Sequence, residues 1–140
     1  MNRQQIHLAI VTDENVNKEV SDITINNLPP WATGMKEGLS KKGCFYSAPA
    51  VVYVHADKSC PGTEALDAGL VIQNMLLKAT ELGIGACVVA ICALHEAVDQ
   101  VKEKVGIPVA NDFITAVILG IPMAEGKVTP VKEGRLTFIE

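Results

Sequence analysis

From Thr63 to Leu82 the chain reads as one long helix whose apolar residues go round most of its cylinder. Leu66, Leu70, Val71, Ile72, Met75, Leu76, Leu77 and Leu82 leave little of the surface wet. A helix of that kind is central, because water can be tolerated on only a narrow strip of it. Thr63 offers an N-cap hydroxyl, Glu64 and Asp67 suit the positive end of the helix dipole, and Gly83 supplies a stop. Asp67, Gln73, Asn74, Lys78 and Glu81 interrupt the stretch, which makes it too polar to span a bilayer.

The rest of the chain must supply layers to cover this helix. Four runs rich in β-branched residues predict strands at Ile6 to Thr12, Ala50 to His55, Ala86 to Ile91 and Phe113 to Ile121. The last two are nearly continuous in Val, Ile and Ala, which suits central strands covered on both faces. Asp13 can cap a helix in which Val16, Val20 and Ile23 recur at helical spacing, and Trp31 to Leu39 follows Pro29-Pro30 as a further helix. Leu94 to Val105 carries one apolar stripe (Leu94, Val98, Val101, Val105) and exits through Gly106 and Pro108. The tail beyond Pro122 reads as loop with late β character. Strands and helices in this order predict a single α/β or α+β layered domain over residues 1–140.

Composition narrows the function classes. An apolar fraction of 49% is ample for a core, and the net charge of −4 without a basic cluster argues against nucleic acid as a partner. The N-terminus lacks the layout of a secretory signal, and a cytoplasmic protein is expected. Cys44, Cys60, Cys87 and Cys92 form no C-x-x-C pair and read as structural thiols, Cys87 and Cys92 as small hydrophobes in or beside a strand. His7, His55 and His95 are dispersed, so no metal site is expected.

No constellation of catalytic side chains stands out. There is no G-x-S-x-G elbow and no P-loop, and Gly83-Ile84-Gly85-Ala86 precedes a strand instead of opening a helix. An enzyme of this sequence would leave its chemistry to a cofactor.

The segment EALDAGLVIQNMLLKATELGIGACVVAI, then VKEKVGIP and FITAVILGIP, resembles the nitroreductase family. The family shows a D-x-G-x-x-x-Q-N-x-x-L-x-A helix, a G-[LI]-G turn into a strand, and strand and helix exits of this kind. Asn2-Arg3-Gln4 and the strand ending Val11-Thr12-Asp13 resemble its N-x-Q-P-W-x-F-x-V-V-x-D segment. The resemblance implies an α+β fold with a mixed or antiparallel sheet flanked by helices, an intertwined homodimer, and FMN at the subunit interface. It further implies ping-pong hydride transfer from NADH or NADPH through FMN to a small-molecule acceptor such as a nitroaromatic or quinone.

Carried over by position, the resemblance assigns Asn2 and Gln4 to the flavin and ribityl chain, since amides both donate and accept. It assigns the backbone N–H groups of Ala90 and Ile91 to the flavin nitrogen and rim, and Lys132 and Arg135 to the FMN phosphate. No side chain is assigned a catalytic role. The sequence departs from the pattern in two places. The Arg-Arg-Ser-x-Arg-like helix of the family is missing before Asn2, and Gln5-Ile6 stands where the family has Pro-Trp. At ~1.5–3 kcal/mol for each hydrogen bond to a charged group, the first departure implies FMN affinity lower by a few orders of magnitude. The same resemblance therefore also admits a non-catalytic, flavin-binding or vestigial dimeric module, and a ligand- or protein-binding domain without flavin is the reading from another class.

Overall fold

A computed structural model describes residues 3–123, 129–130, 132–134 and 139 of the chain. The elements run β1 (Ile6–Val11), α1 (Glu14–Asn26), a 3-10 turn (Pro30–Met35), α2 (Lys36–Lys42), β2 (Ala50–Ala56), α3 (Glu64–Glu81), β3 (Gly85–Val89), a second 3-10 turn (Ala90–Ala93), α4 (Val98–Val105) and β4 (Asp112–Gly120). The strands form one antiparallel sheet in the order β1-β2-β4-β3. This is the α+β class expected, with helices on both faces of the sheet.

One face packs on α1, α2 and α4. Val20, Ile25, Leu39, Phe45, Val51, Tyr53, Val101, Phe113 and Ala116 meet there. The opposite face is covered by α3, where Val52, Val54 and Val117 meet Ala68, with Ile72, Met75 and Leu76 packed around them. Alternation along β2 sends Val51 and Tyr53 to one layer and Val52 and Val54 to the other, which is why this strand is apolar throughout.

Local chemistry accounts for the ends. Asp13 is extended, and its Oδ1 accepts from the N–H groups of Asn15 (2.8 Å) and Val16 (3.3 Å), as its capping position predicts. Gly106 closes α4 in the left-handed conformation, φ 73° and ψ 25°. Gly120 lies so close to Pro49 that a Cβ there would meet the ring carbon at 2.9 Å, which explains the Gly of the strand exit.

Four expectations need correction. β3 is an edge strand, with Cys87 exposed and Val88 41% exposed, and β2 takes the centre beside β4. An unbroken apolar run does not distinguish a strand covered on two faces from one that ends a sheet. The Thr63 hydroxyl makes no cap bond to α3; it donates instead toward the Cys60 carbonyl (3.3 Å) and Asp67 (3.2 Å). α4 begins at Val98, because Ala90–Ala93 forms its own turn and Leu94 lies between the two. Finally, α3 is covered by the sheet on one side only within a chain. Leu66, Leu70 and Leu77 are each about 60% exposed or more.

The apolar period of α1 was legible, but its buried face also carries polar residues. Asn17, Ser21 and Thr24 are buried beside Val20 and Ile25. The Tyr53 hydroxyl donates to Asn17 Oδ1 (2.9 Å), whose Nδ2 donates to the Val11 carbonyl (3.2 Å). This pair ties α1 to the centre of the sheet. Tyr53→Phe leaves a buried amide oxygen without a donor, so it is expected to lower stability by ~1–3 kcal/mol. The midpoint of urea unfolding, at unchanged slope, measures this.

Candidate functional site

Antiparallel order points the start of β1, the end of β2, the start of β4 and the end of β3 the same way along the sheet. Ile6 lies opposite Ala56 and Ala56 opposite Asp112 in the end row, whereas β3 stops short of it, with Val89 opposite Ala116 in the row of Tyr53 and Ala9. The Gln5 carbonyl accepts from the Asp57 N–H (3.0 Å), extending the β1–β2 ladder by one bond. Just beyond it, Gln4 is exposed and has φ +50°. On the far edge, the chain leaves β3 into the Ala90–Ala93 turn, with Ala90 exposed and Ile91 half-buried. Three strand spacings separate the two edges, about 14 Å.

The β1 side of this end is polar. Gln5 is buried, and its Nε2 donates to Thr63 Oγ1 (2.9 Å) and to Asp67 Oδ2 (2.6 Å) in the first turn of α3. His7 and His55 stack with ring centroids 5.5 Å apart. His7 Nε2 lies 2.9 Å from Asp57 Oδ2, and this bond with those from Ser59 holds the Asp57 carboxyl down at about 2. The amide of Asn111 approaches His55 Nδ1 at 2.9 Å, so the ring accepts there. Burial, then the neighbouring His7, lowers the His55 pKa.

The β3 side offers backbone. The first N–H groups of a helical turn have no partners within it, so those of Ala90 and Ile91 make no bond inside the Ala90–Ala93 turn. Behind them Cys92 is fully buried, and burial pushes its thiol up to about 12, which makes it an inert packing group. Two clefts lie elsewhere on the chain. One, of about 470 Å³, runs between α1, α2 and the 43–48 loop; the other, of about 580 Å³, lies between Asn27–Pro30 and Ala93–Glu96. Neither is lined by Gln4, Ala90, Ile91 or Lys132.

The family model of the nitroreductases matches residues 1–121. The chain belongs to the nitroreductase family. Membership makes it a flavin-dependent oxidoreductase by class. Among solved structures, a nitroreductase with bound FMN from Desulfitobacterium hafniense is similar at 22% identity and a TM-score of 0.85, covering 100% of this chain and 78% of its own. One with bound FMN from Bacteroides fragilis is similar at 24% identity and a TM-score of 0.79, covering 100% and 79%. An oxidized iodotyrosine deiodinase bound to FMN and 3-iodo-L-tyrosine gives 21% identity and a TM-score of 0.77, with 100% and 79% covered. At these identities the likeness is one of fold. A search of curated proteins found no match.

Within this chain, the residues singled out from sequence fall in three places. Gln4 stands at the β1 edge, and Ala90 with Ile91 at the β3 edge, several residues further along the sheet. A strand was expected through Ile91, but pairing stops at Val89 and the chain turns, which leaves Ala90 exposed instead of buried. Lys132 is exposed in the tail. Asn2 and Arg135 lie outside the described residues. Among the described residues, no helix is long and apolar enough to cross a membrane.

Sequence reasoning missed the cluster of Gln5, Thr63 and Asp67. Gln5 drew notice only as a replacement for proline, and Thr63 and Asp67 only for the helix they begin, since nothing in spacing brings positions so distant in the chain together. The lowered pKa of His55 has a direct consequence. Below its ordinary value of 6.5 the unfolded chain takes up the proton before the folded chain does. Stability from this group is therefore complete above that pH and is lost as the pH falls through it. Burial lowers His95 in the same sense. The melting temperature is expected to fall between pH of about 7.5 and 5.5, and less steeply in His55→Gln. Equal slopes in the two proteins would show that His55 is not the group responsible.

Proposed function

We propose that this nitroreductase is an FMN-dependent NAD(P)H oxidoreductase that works as a homodimer on a small acceptor such as a nitroaromatic or quinone. The observation that carries the proposal is the division of the candidate residues between two opposite edges of one sheet. A single chain presents amide side chain at one edge and backbone N–H groups at the other, separated by about 14 Å across the sheet and by several residues along it. A second copy brings the β1 edge of one chain against the β3 edge of the next and makes a two-sided slot. The FMN-bound state of two structures with this fold supports the same reading.

The residues present suit the cofactor chemically. Amide groups on Asn2 and Gln4 can both donate to and accept from a heterocycle edge. The N–H groups of Ala90 and Ile91 offer donors where negative charge develops on reduction. Lys132 and Arg135 supply cations for a phosphate, the guanidinium in bidentate fashion. When bound there, FMN would supply the redox chemistry, hydride acceptance from NAD(P)H and delivery of reducing equivalents to the acceptor in ping-pong order. The protein's share is binding, orientation and exclusion of water.

The dimer has its own support. Leu66, Leu70 and Leu77 lie at i, i+4 and i+11, one seam on the side of α3 turned away from the sheet, and β1 leaves Leu8 43% and Ile10 66% exposed. Burying a leucine from water is worth ~1.5–3 kcal/mol, so several such residues form a strong drive to associate. Sedimentation at micromolar concentration should find a dimer, and Leu70→Glu should shift it toward monomer; a monomeric parent protein would remove this half of the proposal.

The purified protein is expected to be yellow, to release FMN on denaturation, and to bleach when NADH or NADPH is added without oxygen. A colourless protein that takes up no added FMN would refute the cofactor, and colour without bleaching would leave a flavin-binding module that does not turn over. Arg135→Ala is expected to weaken FMN binding by about tenfold or more while leaving the dimer intact, as a flavin titration would record.

A further inference from the structure

We infer that Gln5 is a positioning residue for Gln4, its buried amide locking the start of β1 in the conformation that presents the Gln4 side chain. The inference rests on the flavin reading of Gln4 and deepens it. Gln5 is only 1% exposed, and both protons of its Nε2 are used, one on Thr63 Oγ1 at 2.9 Å and one on Asp67 Oδ2 at 2.6 Å. Its carbonyl takes the Asp57 N–H at 3.0 Å. Gln5 is thereby tied to α3 by its side chain and to the end of β2 by its backbone. Its neighbour Gln4 is exposed and sits at φ +50°, a left-handed conformation that residues other than glycine rarely adopt without an imposed constraint.

The identity of residue 5 matters to that conformation. A proline at this position would push the residue before it into extended backbone and would donate nothing to Asp67. Glutamine leaves Gln4 free to turn and then pins the turn from the side. Gln5 is at the same time a poor core residue. Its Oε1 is buried without a donor, and a leucine would remove that orphaned oxygen but would also leave Thr63 Oγ1 and Asp67 Oδ2 without this donor.

The experiment titrates FMN, by quenching of its fluorescence, into Gln4→Ala, Gln5→Leu and the double variant, with the melting temperature and the visible flavin spectrum recorded for each. Gln5→Leu is expected to weaken FMN by about tenfold, with the spectral change seen in Gln4→Ala, and the melting temperature shows that the variant is folded. The double variant should be no weaker than either single one, because the two changes remove the same contact. Asp67→Ala removes the bond from the half-buried helix side and is expected to act in the same direction, which keeps the test valid if Gln5→Leu folds poorly. FMN affinity within twofold of wild type in Gln5→Leu and Asp67→Ala, while Gln4→Ala is weakened, would overturn the positioning role alone. Independent, additive losses would overturn it as well. Unchanged binding in Gln4→Ala would remove Gln4 from the flavin site and overturn both readings.

Discussion

β2 and β4 are paired with each other and buried on both faces, so each helical layer has one platform on which to pack. Tyr53 and Ala116 face α1 and α4, whereas Val52, Val54 and Val117 face α3. Moving either strand by one residue would exchange these sets and strand apolar side chains in the wrong layer. Register is therefore held from both sides, and the outer strands β1 and β3 inherit it through their own ladders.

β1 and β3 close the sheet on opposite sides, and each ends in a different kind of group: the exposed amide side chain of Gln4 before one, the exposed Ala90 turn after the other. The outer seam of α3 and the exposed face of β1 stay apolar in the single chain. A four-stranded sheet of this length is too small to cover a long helix that is apolar on most sides.

Buried polar contacts give the fold its precision. Asn17 with Tyr53, Ser21 with the Cys44 N–H, and Gln5 with Asp67 each join segments far apart in the chain. Apolar packing could be satisfied by several small shifts, but a buried amide or hydroxyl must meet its partner within a few tenths of an ångström or leave a desolvated group unmatched.

The sequence by itself determined the elements and the family. Period and caps placed the start of α1 and both ends of α3 within a residue or so, glycine and proline set the exits, and the Asp67 to Ala79 motif with its following turn marked the nitroreductase family. These signals are local, written in neighbours a turn or a strand apart. Only the tertiary structure decided the strand order, which put β2 and not β3 at the centre, since continuous Val and Ile runs look alike wherever they pair. It also decided that Ala90 leaves the strand, that Thr63 serves Gln5 and Asp67 instead of the helix end, and that Gln4 and Ala90 lie on opposite edges of the sheet. Those outcomes depend on contacts between segments distant along the chain, whose energies no local pattern records.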